Sequence, residues 1–171
     1  MNPKKSKETS LTFFVSALAL ALFVVMRTLD AHLVVKGYGI VAFEFAGTPE
    51  HALHILRAWG SSGQAAAYQS LWWDFLFMLA YGGTLVLLVR GVARRNKRIP
   101  QTLTWWMKGL VIGAVALDVT ENMALLQVMQ GNIEGWVVGA WWSAAFKFGA
   151  LGVIFLYLIS SFRLKRNKTT L

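Results

Sequence analysis

Apolar residues run along this chain in four long blocks rather than in alternating stripes. The blocks cover about 11–29, 65–89, 103–129 and 136–162. Each is long enough to cross roughly 30 Å of hydrocarbon as a helix, which takes about 20 residues. None shows the period-two alternation of a membrane β-strand. Residues 30–64 are mixed in polarity and punctuated by Gly37, Gly39, Gly47 and Gly60, while a loop at 90–102 and a tail at 163–171 are short and basic. The pattern predicts an all-α membrane protein: one domain, residues 1–171, with four transmembrane helices in a bundle.

The segment 30–64 contains one helix signal. Thr48 supplies a capping hydroxyl, Pro49 suits the first helical position, and Glu50 sits near the positive dipole end. The predicted helix runs to Trp59 and stops at Gly60. Ala52, Leu53 and Leu56 fall near one face, with His54 and Arg57 displaced from it. The expectation is a short extracytoplasmic amphipathic helix lying over the mouth of the bundle.

Polar residues inside the spans carry the functional signal. Span three holds Asp118, Glu121 and Asn122 at i, i+3 and i+4, so they share one helix face. Span two holds Asp74, with Ser70 and Tyr81 on the same side, and span four holds Lys147. A charged side chain at mid-membrane costs roughly 2.5–3.5 kcal/mol on insertion scales, so such groups face the bundle interior and find partners. Counting 1.5 Å per residue from the basic boundaries puts Asp74 and Lys147 about 24 Å from the inner edge, and Asp118 and Glu121 about 15 and 20 Å. All four reach the middle to outer half of the membrane, where their faces can converge. Arg27 and Asp30, near the outer end of span one, are placed to close the same cavity from above. Gly109 and Gly113 form a G-x-x-x-G on roughly the opposite face of span three, fitted to close helix packing or to a second copy of the chain.

Charge placement sets an orientation. Thirteen basic residues flank the ends of the spans on one side: Lys4, Lys5, Lys7, Arg90, Arg94, Arg95, Lys97, Arg98, Lys108, Arg163, Lys165, Arg166 and Lys168. The other side has Arg27, Lys36 and Arg57 alone. The positive-inside rule then places both termini in the cytoplasm of a bacterial inner membrane. The net charge of +9 faces anionic headgroups on this reading rather than nucleic acid. Span one is not expected to be a cleaved signal, because Met26-Arg27-Thr28 stands where a small-x-small site is needed. The tryptophans, Trp59, Trp72, Trp73, Trp136, Trp141 and Trp142 outside and Trp105 and Trp106 inside, fit aromatic belts.

Composition agrees and narrows the chemistry. The chain is 56% hydrophobic and 15% charged, against about a quarter charged in a soluble domain. It has no cysteine, which excludes disulfides, thiolate metal sites and cysteine nucleophiles. His51 and His54 have metal-capable spacing but no third ligand in view, His32 and Glu44 stand isolated, and no histidine lies in a span to hold haem. No cofactor or metal is expected, and no hydrolase, metalloprotease or phosphate-loop motif is present.

Three stretches, Phe43-Glu44-Phe45-Ala46-Gly47, Leu71-Trp72-Trp73-Asp74-Phe75-Leu76-Phe77 and Leu117-Asp118-Val119-Thr120-Glu121-Asn122, together resemble small bacterial four-span membrane proteins. The resemblance implies the architecture and no activity. The four spans with buried acids are also similar to the sterol-isomerase-like membrane fold. That is a likeness of architecture alone, because a histidine to complete such a site is missing.

Three functions fit. The first is binding or translocation of a small ligand, lipid or proton at Asp74, Asp118, Glu121 and Lys147, with Asn122 as a helix–helix hydrogen-bond donor and Ser70 and Tyr81 as packing residues with satisfied hydroxyls. The second is a membrane enzyme using a carboxylic acid as proton donor. The third is an accessory protein in which Lys147 bridges Asp118 or Glu121 to fix helix register.

Overall fold

The computed structural model describes residues 3–96 and 98–166. Lys97 and Lys168, counted above among the basic residues, lie outside them. The described residues form α1 (Pro3–Val34), α2 (Ile40–Glu44), α3 (Pro49–Arg95), α4 (Gln101–Met129) and α5 (Trp136–Arg166). Helices α1, α3, α4 and α5 are each long and apolar enough to cross a membrane, so the chain is a multi-pass helical protein of the membrane type. α4 packs most extensively on α5, and α3 packs on α4. α1 lies along α3 and makes no comparable contact with α4 or α5. Gly82 allows the approach of α4, because an added Cβ would stand 2.7 Å from Val115. An ion pair from Arg94 to Glu8 joins the last turn of α3 to the start of α1.

α3 begins as predicted. The Thr48 hydroxyl accepts the His51 N–H at 3.3 Å, and Pro49 occupies the first turn. Gly60 breaks the helix with φ 61 and ψ −173, a backbone conformation that glycine adopts without a Cβ clash. The Gln64 side chain donates to the Leu56 carbonyl at 2.8 Å, occupying one of the acceptors the break leaves free. The helix resumes at once toward Arg95. Residues 49–59 are therefore the first arm of a kinked helix, and they pack inward. Ala52, Ile55, Leu56 and Trp59 are buried, while Leu53 is only partly so. The expected face of Ala52, Leu53 and Leu56 is corrected to this one. Trp59 is likewise a core residue and no belt residue: its Nε1–H donates to the Tyr38 carbonyl at 2.6 Å, and Phe43 meets its ring edge-on at 5.1 Å.

α2 is a five-residue helix that period counting does not reveal. Asp30 of α1 holds its start: Oδ1 accepts the Ile40 N–H at 2.7 Å, and Oδ2 pairs with Arg27 at 2.7 Å. Gly39 is needed for this approach, because a Cβ there would stand 2.9 Å from Asp30 Oδ1. Replacing Asp30 by alanine should cost about 1.5–3 kcal/mol, the range for a hydrogen bond to a charged group. Amide exchange should accelerate at residues 40–44 and stay unchanged in the α4–α5 pair. Equal acceleration in both places would show that Asp30 does not act locally.

Among the described residues the Gly109–Gly113 pair serves no helix packing. Neither glycine has any atom within 4 Å of an added Cβ, so that face is left open.

Candidate functional site

Two apolar clusters divide the bundle. One contains Trp59, Leu71, Leu125 and Ala140, and the other Leu85, Val111 and Ile154. On each of α3, α4 and α5 the polar residues fall between the two clusters: Asp74 and Tyr81, then Asp118, Glu121 and Asn122, then Lys147. The burial that stabilises the helices thus encloses a polar layer.

Lys147 is its hub. The ammonium donates to Asp118 Oδ1 at 2.9 Å and to Glu121 Oε1 at 2.9 Å, with Glu121 Oε2 at 2.8 Å. Its side chain is 7% exposed and that of Glu121 0%. The Phe148 ring lies 4.7 Å from the same nitrogen. Tyr81 packs its ring against the second apolar cluster and donates its hydroxyl to Asp118 Oδ2 at 2.7 Å, so it is a packing residue that is also a polar partner of the cluster. Asn122 takes the helix–helix role expected of it. Its amide donates across to α3, to Asp74 Oδ2 at 2.8 Å and to the Leu71 carbonyl at 3.2 Å.

The expectation that Glu44 stands isolated is overturned. α2 carries Glu44 into the cluster, where Oε2 lies 3.9 Å from the Lys147 nitrogen, buried and without a hydrogen-bond partner. Burial pushes this carboxyl above its ordinary value, against the pull of the Lys147 ammonium. A signal was present in the sequence: Glu44 is the one charged residue in an apolar run from Ile40 to Ala46.

Three carboxyl groups, those of Glu44, Asp118 and Glu121, lie within 4 Å of one ammonium, and a fourth, that of Asp74, joins the layer through Asn122, a formal surplus of three negative charges. A low-dielectric interior does not hold that surplus unpaired, so the site favours protons or a cation. Histidine takes no part. His51 and His54 meet the Tyr38 ring edge-on, and among the described residues no group of three His or acidic side chains is arranged to hold a metal.

Beside the cluster lies a cavity of about 460 Å³, within the size range of small-molecule pockets. Asp74, Asp118, Glu44 and Lys147 line it together with Ser70 and Tyr81. The Arg27–Asp30 pair lines it from α1, as their positions in the sequence suggested. Phe23, Phe77, Leu85, Leu88, Leu151 and Phe155 form apolar walls. Every residue picked out from the sequence as a site candidate reaches this cavity or its polar layer. Compared with family models, with curated proteins and with solved structures, the chain matches none.

Proposed function

We propose that the protein binds a small cationic or proton-bearing ligand at this cavity, within the membrane. One observation carries the reading. The single ammonium is engaged by Asp118 and Glu121, and two more carboxyl groups, Asp74 and Glu44, face the same cavity without a cation of their own at hydrogen-bond distance. Asp74 has only a neutral amide donor, Asn122, on one oxygen. The work divides accordingly: Lys147, Asp118 and Glu121 hold α4 to α5, while Asp74 and Glu44 attract the ligand.

Binding is favoured over ion conduction because the cavity beyond the acids is walled by Leu85, Leu88, Leu151 and Phe155. A charged path through that region would leave the ion without partners. The basic asymmetry supports an inner-membrane setting with cytoplasmic termini, and the Glu8–Arg94 pair fits it by joining two ends assigned to one side. On that orientation α2 and the 49–59 arm cover the outer mouth. The open Gly109–Gly113 face supports contact with a second copy.

The test uses n-butylammonium as probe and the protein in neutral-lipid nanodiscs. At a hundredfold excess over Kd the probe should stabilise the folded protein by about 2.7 kcal/mol. n-Butanol should have no such effect, and Asp74→Asn should remove most of the butylammonium response. An equal response to butanol, or an undiminished one in Asp74→Asn, would overturn the reading.

A further inference from the structure

We infer that the occupant is a single-chain amphiphile with an ammonium head, taken up sideways from the bilayer between α1 and α5. This rests on the cation-site reading above and adds the shape and route of the ligand.

The cavity has its charge at one end. Asp74 and Leu88 both line it from α3, fourteen residues apart, which at 1.5 Å per residue is about 21 Å along the helix. A volume of 460 Å³ lies toward the lower end of the range for ligand pockets, which favours one chain over two. The acids sit at the head of the slot, and below Tyr81 and Thr84 mainly leucine and phenylalanine side chains line the rest. An ammonium at Asp74 and Glu44 would satisfy the surplus carboxyls, and one alkyl chain would fill the apolar length.

The route follows from how the helices pack. α1 and α5 form facing walls of the slot through Phe23 on one side and Leu151 and Phe155 on the other. Yet α1 rests on α3 and makes no comparable contact with α5, so among the described residues no extensive helix contact seals that side. Phe23 and Phe155 stand about half exposed along it. Both rims are apolar and lie within segments able to span a membrane, so the slot faces acyl chains rather than water. The acid end is roofed instead, by Ile40, Val41 and Glu44 of α2 and by the Arg27–Asp30 pair. A chain can enter laterally while its head meets the acids beneath that roof.

The experiment uses the full chain in phosphatidylcholine nanodiscs and a hexadecylamine bearing a mid-chain diazirine. Photolabelling is competed by unlabelled amphiphiles at equal mole fraction in the bilayer, which removes differences in partitioning. Hexadecylamine should compete at least tenfold better than hexadecanol, which lacks the charge, and tenfold better than dihexadecylamine, which has a second chain. The label should map to α1 and α5. Ala19→Trp, which narrows the slot at a partly exposed position away from the acids, should lower labelling severalfold. If dihexadecylamine competes as well as hexadecylamine while butylammonium still binds through Asp74, the single-chain inference falls and the cation site stands. If butylammonium also fails to bind, both fall together.

Discussion

Lys147→Met should destabilise the protein by about 3–5 kcal/mol, the cost of removing one partner from a buried ion pair. Methionine keeps much of the lysine stem, so the change isolates the charge. It leaves Asp118 and Glu121, both buried, facing each other without the ammonium that both contact at 2.9 Å. Tyr81 still donates to Asp118, but Glu121 has no other hydrogen-bond donor of its own in the cluster. Adding Asp118→Asn and Glu121→Gln to Lys147→Met should recover most of the loss, because replacing all members of a buried ionic group is often close to neutral. Reversible unfolding in mixed micelles measures both variants. A loss below about 1 kcal/mol for Lys147→Met would mean that water in the cavity already solvates the acids, and the triad would not be what holds α4 to α5 at this level.

Trp59→Ala should cost a comparable amount, about 3–5 kcal/mol. Trp59 is 0% exposed, its ring meets Phe43 of α2, and its N–H reaches the Tyr38 carbonyl. The residue therefore joins the first arm of α3 to the segment that presents Glu44. Trp59→Phe keeps an aromatic ring and orphans the carbonyl, so a loss of about 1–3 kcal/mol is expected from that variant. Both variants should speed amide exchange across residues 38–46. Butylammonium binding should weaken with them, since Glu44 loses its support. Full stability in Trp59→Ala would show that α2 is placed by Asp30 alone.

The spans were legible because length and apolarity are local properties: about 20 apolar residues suffice to recognise each one. The polar layer was legible for a related reason, since an acid or a lysine within such a run stands out against its neighbours. Face counting then placed Asp118, Glu121 and Asn122 together, and the structure turns all three inward. What escaped was set by contacts distant in sequence. α2 has five residues, too few for a helical period to emerge, and its position depends on Asp30 ten residues earlier and Trp59 fifteen residues later. Glu44 was read as isolated because nothing near it in sequence is its partner; Lys147 is about a hundred residues away. Trp59 looked like a belt residue because composition near a span end cannot distinguish a ring facing lipid from one facing Phe43. Gly109 and Gly113 carried a packing motif, but a motif does not say whether the partner is in the same chain.

The central claim is that the cavity attracts cations, and introduced thiols test it most directly. The chain has no cysteine, so one placed there reports alone. Val41 lines the cavity three residues from Glu44 and is 51% exposed, so Val41→Cys leaves the acids in place and the thiol accessible. Rates with a cationic and an anionic methanethiosulfonate, each scaled to free cysteine, should differ on the order of tenfold in favour of the cation, as expected where like charges line a low-dielectric cleft. The preference should collapse when Asp74→Asn and Glu44→Gln are added. Equal scaled rates, or a faster anionic reagent, would contradict the claim.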